Sequence, residues 1–282
     1  MNATIPVAVQ LYSLRESAAV DFEAVLRQVG AMGYVGIELA GFNGLSPTRV
    51  SEILGESELV VSSAHTADLA TDALKATLDD IQTVGCANLV VAMIRPDGFV
   101  DLDAVRKSAD KLNRARELAA ARGVALGYHN HWWEFETIIN GRTAWSHLFE
   151  LVHPEVFAEL DLYWATVGTG DPVDAIGELG SRVRLLHVKD GPADDPLNAM
   201  VAVGQGSIDI PRVIGSGPDV QWHIVELDRC DTDMATAVSE SYTYLINSGL
   251  SKGRRRTASG SSGAATSRRF ISERWLSCRG ST

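Results

Sequence analysis

The sequence predicts a single-domain α/β protein, a (β/α)8 TIM barrel, from three observations. Eight short apolar, β-branched segments alternate along the chain with longer stretches of helical period. These segments begin about every 30 residues, which is the spacing of one strand-helix unit. The chain has 282 residues, enough for eight such units around one large core.

The predicted strands are near-continuously apolar, as in a parallel sheet covered by helices. They cover residues 7–12, 35–39, 59–65, 88–94, 124–131, 157–162, 183–189 and 222–228. A doubly wound sheet is the competing architecture. It requires a glycine-rich turn after its first strand, and the segment VQLYSLRES contains no glycine, so the barrel is favoured.

The predicted helices lie between the strands. They cover residues 21–32, 46–54, 71–84, 102–121, 143–152, 172–179, 208–214 and 234–246. The clearest of them is 102–121, where apolar and alanine positions recur at helical spacing. Arg122 and Gly123 follow it as a stop signal.

Charge is distributed unevenly along the chain. The net charge of the whole chain is −11, and residues 251–282 contribute +7 from eight lysines and arginines and one glutamate, so residues 1–250 carry −18. A body this acidic repels phosphate backbones, which disfavours nucleic acid as a partner. Residues 251–282 are rich in Arg, Ser and Gly and poor in apolar residues. We therefore expect a catalytic barrel of residues 1–250 and a disordered basic tail of residues 251–282.

Several function classes are disfavoured by what the sequence lacks. No segment approaches the roughly 18 apolar residues that cross a bilayer, and residues 1–6 lack a signal-peptide pattern. Cys86, Cys230 and Cys278 are too widely spaced for a disulfide framework or a CxxC metal clip. We expect a cytoplasmic protein with a small-molecule partner and no membrane or nucleic acid partner. A homo-oligomer is left open.

Ionisable side chains gather at the ends of the last four predicted strands, where a barrel places its active site. In GYHNHWWEFE, His129 and His131 point to the same face of an extended strand. Asp161, His187 and Glu226 lie near the ends of the next three strands. Each alone also suits a structural role, such as a polar core contact or a helix cap. Together, nitrogen and oxygen donors from four neighbouring strand ends indicate a divalent metal site.

Two further ionisable residues share the faces of these candidates. Lys189 lies two residues after His187, and Asp228 lies two residues after Glu226. In a strand this spacing places each on the same face as its neighbour. A salt bridge between Lys189 and either Asp190 or Asp228 is the structural alternative to a catalytic role.

Eight motifs occur in order between residues 6 and 248: VQLYSLR, GYVGIELAG, SSAHT, YHNHWWEF, LDLYWATVGTGDP, LHVKD, GQGSIDI and VELDRC. This series resembles the xylose-isomerase-like TIM-barrel superfamily, whose members are commonly called sugar phosphate isomerases/epimerases. The YHNH segment is similar to the branch that includes inosose-dehydratase-like and keto-sugar-processing proteins. The resemblance covers most of the predicted barrel.

The resemblance implies one bound divalent metal ion, Mn, Co, Zn or Mg. Superfamily members usually hold it with Glu, Asp, His and Glu, one from each of the last four strands. Asp161, His187 and Glu226 match three of these positions. The fourth departs from the pattern because His129 stands where a carboxylate is usual, with His131 as the alternative ligand.

The resemblance also implies the chemistry, which is proton abstraction beside the carbonyl of a sugar, sugar phosphate, keto-sugar or cyclitol through an enediolate. An isomerase or epimerase is the first expectation. A metal-bound imidazole is a poor base, so Glu226 is expected to act as the base and Lys189 to protonate or orient the developing oxygen. Glu134 and Asp228 are alternatives for the second proton transfer.

Five side chains are expected to contact the substrate: His65, His131, Trp164, Glu38 and Asp228. Trp132 and Trp133 are further aromatic candidates for the pocket wall. The imidazole in place of a carboxylate also supports an alternative, a lyase or dehydratase acting on inosose or 3-keto-glycoside substrates. An endonuclease IV-type DNA repair enzyme is less favoured because such an enzyme needs a basic face for DNA, whereas residues 1–250 are acidic. A non-catalytic sugar-binding barrel is also less favoured, because the set of candidate metal ligands is complete.

Overall fold

The structure confirms the predicted barrel. A computed structural model describes residues 5–217 and 219–254, and in it eight parallel strands close into a barrel in chain order. Its strands are β1 (Val7–Gln10), β2 (Gly36–Leu39), β3 (Val60–Thr66), β4 (Asn88–Val91), β5 (Ala125–His129), β6 (Phe157–Asp161), β7 (Val183–Val188) and β8 (Trp222–Val225). Pairing of β1 with β8, for example Val9 opposite Val225, closes the ring.

Helices connect successive strands around the barrel. The α-helices are Arg15–Val20, Phe22–Met32, Pro47–Glu56, Thr71–Thr83, Leu102–Ala120, Trp133–Glu136, Ala144–Leu151, Leu162–Val167, Pro172–Leu179, Ile210–Ser216 and Met234–Asn247. Short 3-10 helices cover Leu11–Leu14, Pro96–Gly98 and Gly180–Arg182, and Ile138–Ile139 pairs with Arg142–Thr143 in a small hairpin. Within residues 5–217 and 219–254, no helix has the length and apolar character to cross a membrane.

Several strands end earlier than the sequence predicts, because polar side chains take over the backbone hydrogen bonds at those points. The side chain of Gln10 accepts a hydrogen bond from the backbone N–H of Tyr12 at 3.0 Å, and β1 gives way to a 3-10 turn. Asp161 accepts one from the N–H of Trp164 at 2.8 Å and caps an unpredicted helix, Leu162–Val167. The chain therefore turns at the mouth of the barrel, where these polar residues lie.

The interior of the barrel is layered. Its lower layer is a small apolar cluster: Ala8, Val90, Phe157, Leu185 and Ile224. Gly127 makes room for it, since a Cβ there would collide with the ring of Phe157. Side chains two residues further along a strand return to the same face, and four of those five positions are polar: Gln10, Glu159, His187 and Glu226.

The end of the barrel lies beyond the predicted boundary at residue 250. Ser251 is buried and its hydroxyl bonds to Nδ1 of His223 at 2.8 Å. The backbone N–H of Lys252 donates to the carbonyl of Ile5, and the guanidinium of Arg254 donates to the carbonyls of Gly30 and Ser57. Residues 251–254 thus belong to the folded body. The remainder of the expected tail, 255–282, lies outside the described residues and stays a prediction.

Candidate metal centre

Four donor side chains meet at the mouth of the barrel, and we refer to His129, Asp161, His187 and Glu226 as the outer cluster. All four are buried, and one ligand atom from each lies within 4.8 Å of the others. Nε2 of His129 is 3.2 Å from Oδ2 of Asp161, and Nδ1 of His187 is 2.8 Å from Oε2 of Glu226. The cluster brings together the four metal candidates predicted from the sequence.

Hydrogen bonds to the rear of both imidazoles orient them in the outer cluster. Nδ1 of His129 lies 3.1 Å from the carbonyl oxygen of Ala92, which can only accept, so Nδ1 donates and Nε2 is left facing Asp161. Nε2 of His187 contacts Oε2 of Glu38 at 2.6 Å, and its Nδ1 faces Glu226. Partners of this kind fix the orientation of metal-binding histidines in proteins.

Lys189 provides a fixed cation within the same cluster. Its ammonium nitrogen lies 2.9 Å from Oδ2 of Asp161, 2.7 Å from Oε2 of Glu226 and 2.6 Å from Oδ2 of Asp228. Burial lowers the pKa of Lys189, but the three carboxylates outweigh burial and raise that pKa well above its usual value. Lys189 is therefore charged, and of the two salt bridges that the sequence analysis offers as an alternative to catalysis, it makes the one to Asp228.

A second group of donors lies against the outer cluster within the barrel, and we refer to Glu38, His65, Glu159 and His187 as the inner cluster. Nε2 of His65 is 2.6 Å from Oε2 of Glu159 and 3.2 Å from Oε2 of Glu38. Nε2 of His187 is 2.6 Å from Oε2 of Glu38 and 3.2 Å from Oε2 of Glu159. His187 thus belongs to both clusters, with Nδ1 in the outer one and Nε2 in the inner one.

A pocket of about 340 Å³ opens onto these clusters. Its lining includes His129 and Glu226 of the outer cluster and His65 of the inner cluster. His131 and Asp228 form further parts of the wall. The pocket has the size of a small-molecule site, and the carboxylate of Glu226 forms part of its wall.

The residues of the outer cluster fit a divalent metal ion. Two imidazole nitrogens and two carboxylate oxygens are a donor set used for Zn, Mn, Co and Fe in proteins. The strongest structural sign is the concentration of buried carboxylates, since an ionised carboxylate in a protein interior must be paired or bound to metal. Lys189 compensates only part of that charge.

Comparison with known proteins agrees with this architecture. Residues 45–216, more than half of the chain, match the sequence profile of a family described as "Xylose isomerase-like TIM barrel". The chain belongs to the xylose isomerase-like TIM barrel family. Among curated proteins, no sequence matches it at a significant level.

Solved structures similar to this family member share its barrel. One is a sugar phosphate isomerase/epimerase from Parabacteroides distasonis ATCC 8503, with a TM-score of 0.78, 24% identity, and coverage of 88% of this chain and 100% of that one. Another is the probable 3-DHS dehydratase AsbF of petrobactin synthesis from Bacillus anthracis, with a TM-score of 0.68, 14% identity, and coverage of 86% and 99%. A third is the IOLI protein with a bound zinc atom, with a TM-score of 0.66, 14% identity, and coverage of 86% and 97%.

The structure divides the expected substrate contacts of this xylose isomerase-like barrel into two groups. His65, His131 and Asp228 line the pocket. Glu38 does not, because it points inward from β2 into the inner cluster and has no exposed surface. Trp164 is only 3% exposed, and the ammonium of Lys189 lies 5.3 Å from the centre of its ring.

His131 and Glu134 shape the turn after β5 rather than the outer cluster. The ring of His131 stacks on Trp133 at 4.4 Å between centroids. Both oxygens of Glu134 are occupied, one by the hydroxyl of Tyr128 and one by the backbone N–H of His131 at 2.9 Å. Glu134, an alternative for the second proton transfer in the sequence analysis, is fully buried and holds this turn in place.

The sequence analysis misses Glu159 altogether and misses the structural role of Asp190. Glu159 lies two residues before Asp161, so strand alternation in AELDL places both on the inward face. That signal was available in the sequence. Asp190, a candidate partner of Lys189 in the sequence analysis, instead accepts hydrogen bonds from the backbone N–H groups of the GQGSIDI turn, at Gly204, Gly206 and Ile208.

Proposed function

We propose that this protein is a divalent-metal-dependent isomerase or epimerase acting on a small sugar, keto-sugar or sugar phosphate. The proposed reaction removes a proton beside a carbonyl and passes through an enediolate. The observation that carries the proposal is the outer cluster, in which two imidazoles and two carboxylates from four consecutive strand ends meet beside an open pocket. Its four members would hold the ion. A bound divalent ion supplies Lewis acidity, which polarises a carbonyl and stabilises the oxyanion beside it.

Glu226 is the proposed base. Burial raises its pKa, but Lys189 and His187 outweigh burial and hold that pKa well below its usual range, so the carboxylate is ionised at neutral pH. Glu226 also lines the pocket and can reach a substrate there. Asp161 is less suited to this role, because Oδ1 caps the N–H of Trp164 and Oδ2 contacts Lys189.

The second proton transfer is assigned to Lys189 together with Asp228. Lys189 has no exposed surface, whereas the side chain of Asp228 is 23% exposed and lies on the pocket wall. Their 2.6 Å hydrogen bond connects the buried ammonium to the pocket. A proton can pass along it to the developing oxygen of the substrate, and the ammonium charge stabilises that oxygen.

A lyase or dehydratase acting on an inosose or 3-keto-glycoside is the second candidate. It is supported by His129, which occupies a position where the family pattern has a carboxylate, so that Glu226 is left as the one base of the outer cluster free to act. A single base suits elimination, in which one proton is removed and a leaving group departs. His65, which lines the pocket with a 12% exposed side chain, lies where it could protonate that group.

The proposal is tested by hydrogen exchange on the substrate. The purified protein, loaded with Mn²⁺, Co²⁺ or Zn²⁺, is incubated in D2O with a panel of ketoses, inososes and 3-keto-glycosides, and exchange beside the carbonyl is followed by NMR. We expect exchange in the wild type, its loss in Glu226→Gln, and its retention in Glu117→Gln, an exposed glutamate on an outer helix. Product analysis then separates the two candidates, since isomerisation conserves mass and dehydration removes water. Exchange that survives in Glu226→Gln would refute the assignment of the base.

A further inference from the structure

The inner cluster presents four donor atoms around one point inside the barrel. Its hydrogen-bonding distances, 2.6 and 3.2 Å from His65 and 2.6 and 3.2 Å from His187, join each imidazole to both Glu38 and Glu159. All four ligand atoms lie within 4.8 Å of one another. A tetrahedral Zn²⁺ site with bonds of about 2.0–2.1 Å has ligand atoms roughly 3.3 Å apart, so the two 3.2 Å pairs already fit and the two 2.6 Å pairs would have to separate by about 0.7 Å to admit an ion.

Each carboxylate of the inner cluster uses only one of its two oxygens. Oε2 of Glu38 accepts hydrogen bonds from Gln10 at 2.7 Å and from His187 at 2.6 Å, and Oε2 of Glu159 faces His65. Oε1 of Glu38 and Oε1 of Glu159 are buried and have no hydrogen-bond partner. An unpartnered buried carboxylate oxygen is costly, so a hydrogen-bonded cluster without an ion leaves both groups unsatisfied. A cation between the two carboxylates can take up these oxygens.

The balance of charges inside the barrel also supports a second ion. Five carboxylates lie in the two clusters or against Lys189: Glu38, Glu159, Asp161, Glu226 and Asp228. Within the described part of the chain, Lys189 is the only lysine or arginine that forms a salt bridge with any of them. Lys189 offsets one of these five charges and a divalent ion in the outer cluster would offset two more, so carboxylate charge remains for a second ion.

We infer that the inner cluster is a second divalent-metal site, held by Glu38, His65, Glu159 and Nε2 of His187. Two imidazole nitrogens with two carboxylates suit Zn²⁺, Mn²⁺, Fe²⁺ or Co²⁺. With both sites filled, Nδ1 of His187 would bind the outer ion and Nε2 the inner ion, which requires the ring to release its protons to solvent. His65 lines the pocket, which gives the ion a route inward. The inference does not depend on the proposed isomerase or epimerase reaction, since Glu38, His65 and Glu159 have no role in it, but a metal-bound His65 would exclude that residue as the acid of the lyase alternative.

Metal stoichiometry tests the inference with matched double variants. The wild type, His65→Gln/Glu159→Gln in the inner cluster and His129→Gln/Glu226→Gln in the outer cluster are dialysed against Zn²⁺ or Mn²⁺, and bound metal is measured by mass spectrometry. A surface pair of the same residue types, His153→Gln/Glu155→Gln, is the control. We expect about two ions per chain in the wild type and control, and about one in each cluster variant. Circular dichroism checks that each variant is folded.

The number of bound ions in each variant distinguishes an error about the inner site from an error about the outer site. One ion in the wild type that is kept by the inner variant and lost by the outer variant would overturn the second site and leave the proposed function intact. One ion lost only by the inner variant would uphold the inner site and refute the outer one. If the inner variant does not fold, anomalous scattering from a Zn²⁺-soaked crystal of the wild type decides the question. A peak between Glu38 and Glu159 supports the inference, and its absence refutes it.

Discussion

The side-chain amide of Asn130 bonds to both backbone polar groups of Asp161. Its Oδ1 accepts from the N–H of Asp161 at 2.9 Å, and its Nδ2 donates to the carbonyl of Asp161 at 3.2 Å. Backbone pairing between β5 and β6 ends at His129 and Glu159, one residue before Asn130 and two residues before Asp161. Asn130 therefore extends the sheet with a side chain and holds two donors of the outer cluster, His129 and Asp161, in register.

Replacing Asn130 with alanine should lower both stability and metal affinity. The substitution leaves two buried backbone groups of Asp161 unpaired, which costs about 1–3 kcal/mol for each unsatisfied group. Chemical denaturation of the metal-free protein measures the loss of stability, and metal titration measures the affinity. Asn247→Ala, at an exposed position near the end of the last helix, should change neither by much. Equal effects of the two substitutions would contradict the role given to Asn130.

Gly206 cannot accept a side chain, because a Cβ there would collide with Oδ1 of Asp190 and the backbone nitrogen of Gly191. We expect Gly206→Ala to displace the carboxylate of Asp190 from the turn and to destabilise the protein by about 1–3 kcal/mol. Gly215 is the matched control, since it lies in the helix Ile210–Ser216 and a Cβ there meets nothing within 4 Å. Gly215→Ala should be neutral or slightly stabilising. Thermal unfolding of both variants measures the difference, and a similar fall in melting temperature in both would contradict a stabilising role for the contact between Asp190 and the turn at Gly206.

Glu134 should make stability depend on pH. Burial raises its pKa to about 8, so in the folded protein Glu134 stays protonated at pH values where it ionises in the unfolded chain. A carboxyl group whose pKa is higher in the folded state lowers the free energy of unfolding progressively as pH rises from about 4.5 to about 8. Glu134→Gln removes this titration, so between pH 5 and pH 8 the wild type should lose on the order of 3 kcal/mol relative to the variant. Denaturation at both pH values measures it, and parallel pH profiles would refute it.

Because residues 251–254 contact the barrel, truncation before them and truncation after them should have different effects on stability. A chain that ends at Leu250 loses the bond from Ser251 to His223 and the contacts of Lys252 and Arg254, so we expect its melting temperature to fall by roughly 4–8 °C. A chain that ends at Arg254 keeps these contacts. Because residues 255–282 carry little apolar surface, we expect this second truncation to melt within about 1 °C of the full chain. A large fall for the second truncation would show that residues 255–282 stabilise the barrel.

Lys189→Met distinguishes a reacting lysine from a counter-ion. If Lys189 supplies or stabilises a proton at the substrate oxygen, kcat should fall roughly 100-fold while metal still binds. Lys111→Met, on an exposed helix face, should leave kcat unchanged. The measurement is steady-state turnover on the substrate found by the exchange screen. An unchanged kcat with a lower melting temperature would leave Lys189 as a counter-ion for Asp161, Glu226 and Asp228 alone.

The sequence by itself determined the barrel, its eight strand-helix units and the convergence of donors at the last four strand ends. These follow from local patterns, because apolar period, segment length and the position of a residue near a strand end are properties of short stretches of chain. Such local patterns are enough to place Asp161, His187 and Glu226 near strand ends, without the pairing of the strands.

The tertiary structure decided which side chains share a layer, and therefore which charges meet. Glu38, on β2, and Glu159, on β6, come together around His187 only because the barrel closes and sets the register of strands far apart in sequence. The same closure directs Lys189 into three carboxylates and folds Ser251 onto His223. Such contacts depend on strand stagger and ring closure, which no local pattern encodes, because they are set by the packing of the whole barrel at once.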